Sequence, residues 1–140
     1  MPLVRISLNH TTADVQRRIG DAVHQAMVET INIPTGDRFQ IITSHGSGEL
    51  IYDASFYGID RTEGFIAIQI TLAAGRSDEV KQQLYARIAE LLGEAANVRP
   101  GDVFISLLEV GAADFSLGNG KAQFLEQLPP HLKALQKQAE

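Results

Sequence analysis

The chain has 140 residues, 44% of them hydrophobic and 21% charged, with a formal net charge of −5 and no cysteine. That length supplies one domain with a real core, and the composition is that of an ordinary globular protein. The acidic balance argues against nucleic acid as a partner, and the lack of cysteine excludes disulfides, thiol catalysis and thiolate metal sites.

Residues 2–8, Pro2-Leu3-Val4-Arg5-Ile6-Ser7-Leu8, alternate polar and apolar and predict a strand headed by proline. Proline is tolerated there because the first strand position need not donate to the ladder. If Met1 is removed, Pro2 becomes a rigid secondary amine able to act as base or acid near neutral pH, since an α-amine has a pKa near 7.7–8.0 that burial lowers further. Strand initiation alone is the plainer explanation of the same residue.

A helix is predicted from about Thr12 to Thr30, with Val15, Ile19, Val23 and Ala26/Met27 on one stripe and Thr11 with Asp14 as a capping pair. His24 beside Val23 reads as a surface or interface histidine. A second strand begins at Asp37. Residues 44–64 form an excursion: a turn at His45-Gly46-Ser47-Gly48, a short strand at Leu50-Ile51-Tyr52, and a loop with exposed aromatics at Phe56-Tyr57-Gly58-Ile59. A third strand, Phe65 to Leu72, alternates cleanly. Ser77 caps a second helix, with Asp78 and Glu79 at its positive end and a stripe of Val80, Leu84, Ile88, Leu91 and Leu92. The fourth strand, Val103 to Val110, is apolar on both sides for much of its length and is expected to be covered on both faces. Beyond it come a glycine-rich turn (Asp114 to Gly120), a short helix within Lys121 to Leu128, a break at Pro129-Pro130, and a polar, frayed helical tail.

The chain repeats itself. Val4-Arg5-Ile6-Ser7-Leu8 matches Ile68-Gln69-Ile70-Thr71-Leu72 at an offset of 64 residues. At an offset of 65, Val15, Ile19 and Val23 match Val80, Leu84 and Ile88; Asn32-Ile33 matches Asn97-Val98; and Gly36-Asp37-Arg38-Phe39 matches Gly101-Asp102-Val103-Phe104. The expected fold is therefore α+β: a duplicated β-α-β unit (about residues 2–43 and 66–110) forming one four-stranded mixed sheet with two helices on one face. A single domain over 1–128 is expected, with 129–140 as the polar tail. Arg5, Ser7, Gln69 and Thr71 make the uncovered sheet face semi-polar, which packing against other protomers would resolve.

A duplicated β-α-β unit opening on Pro2 resembles the tautomerase superfamily. Pro34-Thr35-Gly36-Asp37-Arg38-Phe39-Gln40 is similar to a motif of its malonate semialdehyde decarboxylase-like branch. So are Gly75-Arg76-Ser77 with Val80-Lys81, Asp102-Val103-Phe104-Ile105 with Leu108-Glu109, and the turn Asp114-Phe115-Ser116-Leu117-Gly118-Asn119-Gly120, where Phe and Leu replace two aromatics. The resemblance implies a tautomerase/MIF-like fold, a homotrimer, no cofactor, and an amino-terminal proline acting on small carboxylates such as enols of 2-keto acids or 3-oxo acids.

Under that resemblance Pro2 is the catalytic amine and Asp37 the acid beside it, although the recurrence of Gly36-Asp37 as Gly101-Asp102 equally suits a turn role, and Arg38 invites a structural pair with its neighbour. Arg76, one residue before the Ser77 cap, would bind the substrate carboxylate together with the helix N-terminus. Some members of the branch carry a second arginine two residues earlier, where this chain has Ala74. Phe39, Phe115 and Leu117 would form an apolar wall, or simply pack the core. Keto–enol tautomerisation is the first functional expectation. Cofactor-free decarboxylation or hydration of a malonate semialdehyde-like acid is the second, and an inert binding protein the third. The four histidines, at 10, 24, 45 and 131, lack metal-ligand spacing, so no metal is expected. With no leader and no apolar run of spanning length, neither a membrane nor a nucleic-acid partner is expected, and the location is expected to be cytoplasmic.

Overall fold

The computed structural model describes residues 1–139. Four strands, β1 (Leu3–Asn9), β2 (Gln40–His45), β3 (Ile66–Ala73) and β4 (Val103–Val110), form one sheet in the order β2-β1-β3-β4. β1 runs parallel to β2, β3 parallel to β4, and the two halves meet antiparallel at β1–β3. This is the duplicated α+β architecture that the internal repeat predicts.

Helices α1 (Ala13–Ile31) and α2 (Asp78–Ala96) are each 19 residues long and occupy the crossovers. Each begins the same way: the Thr12 hydroxyl accepts the Val15 amide at 3.2 Å, and the Ser77 hydroxyl accepts the Val80 amide at 3.3 Å. The first cap is thus Thr12 rather than Thr11. Each also ends the same way, on Asn32 and Asn97 in the left-handed region at φ 57° and 58°. Asparagine is the non-glycine residue best suited to that conformation, which accounts for its recurrence in the repeat.

One sheet face supplies Val4, Ile6, Leu8, Ile66, Ile68, Ile70 and Leu72, all buried against Ile19, Val23 and Met27 of α1 and Leu84, Ile88 and Leu92 of α2. The two helices are cross-linked by Glu29 and Arg87 at 2.5 Å. The opposite face is open. β4 is an edge strand covered on one side only, so Phe104 and Leu108 are each 51% exposed, contrary to the expectation of two covered faces. Ile41 on β2, at the other edge of this face, is also exposed, with Arg5 and Gln69 between the two edges.

Leu50-Ile51-Tyr52 forms no strand. Nothing pairs with its backbone; Tyr52 instead stacks on Phe65 at 4.5 Å, and a single 3-10 turn at Phe56–Gly58 follows. The C-terminal segment forms a short helix α3 (Gln123–Glu126) and a helix α4 (Pro130–Ala139). Leu132 of α4 is buried with Phe115 and Phe124 in a second small core, so the segment that reads as a polar tail is anchored to the domain. No helix among the described residues is long and apolar enough to cross a membrane.

Candidate active site

The strand register brings the amino end into the sheet. Val4 stands opposite Gln40 on one side and Ile70 on the other. Carried back along β1, that register sets Met1 and Pro2 level with Asp37 and Arg38 across β2, and with Ala73 and Leu72 across β3. The side chains obey it. The Met1 ammonium meets Asp37 Oδ2 at 3.1 Å, with Met1 11% and Asp37 15% exposed, and Pro2 is fully buried behind them.

Asp37 is presented by a tight loop in which its own amide donates to the Pro34 carbonyl at 3.0 Å. His24 holds this loop from α1: its Nε2 bonds the Thr35 carbonyl at 2.8 Å. His24 is buried, not a surface histidine, because the chain leaving α1 folds back over it. Arg38 turns away from Asp37 and pairs with Asp21 at 2.8 Å and with Gln40 at 3.0 Å, so the neighbouring charges in sequence are not an ion pair.

Arg76 approaches from the other side. The chain leaves β3 through Gly75 at φ +131°, and the Arg76 guanidinium then donates to the Ala73 carbonyl at 3.0 Å and the Ile31 carbonyl at 3.4 Å. Those contacts use two of its five N–H donors and fix the plane of the group. Burial pulls its pKa down, while Glu109, itself paired with Lys81, opposes that shift. Ser77 opens α2 immediately afterwards, so cation and helix N-terminus lie side by side.

The charges act on one another. Burial lowers the pKa of the Met1 amine and Arg76 pushes in the same direction, whereas the charge and hydrogen bond of Asp37 raise it. The apolar side is the second core: Phe115 and Phe124 meet edge to face at 5.7 Å, with Leu132 beside them and Met1, Ala73 and Val110 packed against the group. Phe115 therefore lies where the sequence anticipates a wall. Phe39 and Leu117, the other two wall candidates, are 47% and 42% exposed and stand outside this cluster.

Sequence reasoning missed Phe124, Leu132 and His131. Burial lowers the pKa of His131, the amino terminus and Arg76 act the same way, and Asp37 opposes them. Its Nε2 is shielded from solvent and has no partner among the described residues. The available signal was Leu132 and Leu135 at i, i+3 in an otherwise polar segment.

Two cavities, of about 530 and 340 Å³, lie at the far end of the sheet around Asn9, His10 and Glu63. Neither includes Pro2, Asp37 or Arg76. The convergence of one amine, one carboxylate and one half-buried guanidinium occurs at the β1 start.

Two family models described as tautomerase enzyme match this chain, over residues 37–118 and 2–52. The chain belongs to the tautomerase family. It is 38% identical over 127 residues to "Probable tautomerase YusQ" of Bacillus subtilis (strain 168), covering 90% of this chain and 100% of that protein. Its identity to "Probable tautomerase YrdN" of the same organism is 32%, covering 89% and 97%. Among solved structures, FG41 malonate semialdehyde decarboxylase inhibited by 3-bromopropiolate is 37% identical, with TM-score 0.86 and coverage of 91% of this chain and 98% of that one. A second malonate semialdehyde decarboxylase, described with decarboxylase and hydratase activities, is 30% identical, with TM-score 0.82 and coverage of 89% and 96%. These two match the branch to which the sequence motifs point. A fused 4-OT symmetric trimer shares the fold at 20% identity and TM-score 0.73, covering 89% and 99%.

Proposed function

We propose that this tautomerase-family protein, once Met1 is removed, uses the Pro2 nitrogen as acid and base on a small keto/enol carboxylate. The observation that carries this is the Asp37 contact with the amino end of β1, made near the half-buried Arg76 guanidinium. Arg76 holds the substrate carboxylate, aided by the start of α2. Neutral Pro2 takes the enol O–H proton as the carbonyl forms and returns it to the adjacent carbon, so the net change is an isomerisation. Asp37 stabilises the transient prolinium. Phe115 excludes water from the amine, with Phe39 and Leu117 as rim residues.

Burial favours the neutral form of the Met1 amine at this end of β1, and the same effect on a freed Pro2 would give the base this reaction needs. Cofactor-free decarboxylation of a malonate semialdehyde-like 3-oxo acid is the second reading, supported by 37% identity to a decarboxylase over nearly the whole chain. There a cationic Pro2 would polarise the carbonyl while CO₂ leaves.

We further propose a homotrimer. The open sheet face with exposed Phe104 and Leu108 supports it, as does the trimeric assembly described for the fused 4-OT neighbour.

Intact mass before and after treatment with 3-bromopropiolate tests the amine. Loss of Met1 and one adduct mapped to Pro2, absent from Pro2→Ala, are expected. A retained Met1, or an unreactive Pro2, overturns the proposal. Proton exchange at the substrate carbon without CO₂ then selects tautomerisation, and CO₂ release selects decarboxylation.

A further inference from the structure

About a tenth of this chain lies outside the match to the curated tautomerases, one of which is covered over its entire length. The structure also shows a short-side-chain surface where α4 crosses the site loop. Ala73, Ala74 and Gly75 line a cavity of about 170 Å³ with Leu132 and Leu135 of α4. A Cβ placed on Gly75 would stand 3.3 Å from Leu135 Cβ, so the helix rests almost on the backbone of the residue before Arg76.

Docking delivers His131. It sits one residue before the buried Leu132, in the part of α4 that packs against the Met1 cluster. The charges of the amino terminus, of Asp37 in the loop before β2 and of Arg76 in the loop after β3 all act on it. Nε2 is closed off from solvent and has no partner among the described residues. A shielded imidazole nitrogen without a partner is costly unless a ligand completes it.

We infer that His131 is a substrate-contacting residue, its Nε2–H donating to the substrate carboxylate that Arg76 holds. This rests on the proposed Pro2 chemistry. It makes α4 a wall of the site and predicts selectivity for short acids, because Leu135 of α4 packs against Gly75, the residue before Arg76.

The test is the second-order rate of Pro2 adduct formation with 3-bromopropiolate, followed by intact mass on protein lacking Met1. His131→Leu keeps the volume and removes the donor; His131→Gln keeps a donor at comparable reach. The expected result is a roughly tenfold slower reaction for H131L, the worth of one hydrogen bond to a charged group, with H131Q within about threefold of wild type. An H131L rate equal to wild type overturns the inference. Equal slowing in both variants also overturns it, because packing alone would then explain the loss. A wild-type amine that gives no adduct removes the Pro2 proposal and this inference together, an outcome distinct from either of the others.

Discussion

Asp37 and Asp102 occupy equivalent positions in the two halves, and each grips the chain that leads into the first strand of its own half. Asp37 holds the Met1 ammonium at 3.1 Å, while Asp102 accepts the Thr62 amide and hydroxyl, both at 2.6 Å, ahead of β3. The duplicated carboxylate has one geometry and two circumstances. At Asp37 the chain segment can end in an amine; at Asp102 it is continuous backbone, and the same contact becomes a clamp.

Substitution should separate the two. Asp102→Ala removes two hydrogen bonds from Thr62 to a buried carboxylate and is expected to cost about 2–3 kcal/mol in urea unfolding. Asp37→Asn is expected to leave the unfolding midpoint almost unchanged while altering Pro2 reactivity. Equal destabilisation by the two variants would refute the division of labour.

Amine alkylation requires the neutral form, so its rate rises with pH through the amine pKa. Burial and Arg76 lower the pKa of the Met1 amine and Asp37 raises it; the Pro2 amine, freed into the same surroundings, is expected to have its midpoint below the ordinary α-amine value of about 8. Asp37→Asn should move the midpoint lower still and Arg76→Gln should move it higher. Rates measured from pH 5 to 10, in roughly half-unit steps, read both signs directly, and a shift in the opposite sense for either variant contradicts the assignment.

His24 reaches the site only through Thr35. His24→Ala frees the Pro34–Asp37 loop and should slow Pro2 alkylation several-fold, with a stability loss of about 1 kcal/mol for the missing hydrogen bond. An unaltered alkylation rate would show that the Asp37 loop holds its position unaided.

Gly75→Ala forces a side chain into positive φ and against Leu135. It should cost about 1–3 kcal/mol and loosen α4, seen as faster proteolytic cutting near Pro129. Cutting at the wild-type rate would mean that α4 is held elsewhere.

The open sheet face makes its own prediction. Phe104→Glu with Leu108→Arg should yield a folded monomer by sedimentation, where the parent is expected to sediment as a trimer. A monomeric parent would rule the assembly out.

Both helices, all four strands and their pairing are legible in the sequence because two copies of one pattern constrain each other: Asn32 and Asn97, or Ile6 and Ile70, are each interpretable alone but decisive as pairs. Residues without a counterpart are harder. His24 is buried by a loop whose path depends on Pro34 and Gly36, and no local periodicity reports that. His131 lies in a segment whose polarity outweighs Leu132 and Leu135, so its docking depends on Phe115 and Phe124, an aromatic pair assembled only in three dimensions. Leu50-Ile51-Tyr52 has strand composition but no neighbouring edge to pair with, and Phe65 captures Tyr52 instead.

The burial of Met1 under Phe115 and α4 has a consequence for biosynthesis. An aminopeptidase needs an extended, accessible end, and the completed fold offers a methionine tucked into an aromatic cluster. Because α4 is translated long after β1, the opportunity to trim lies on the ribosome. A chain that folds with Met1 still attached is expected to resist later processing, so maturation would be decided by timing rather than by equilibrium.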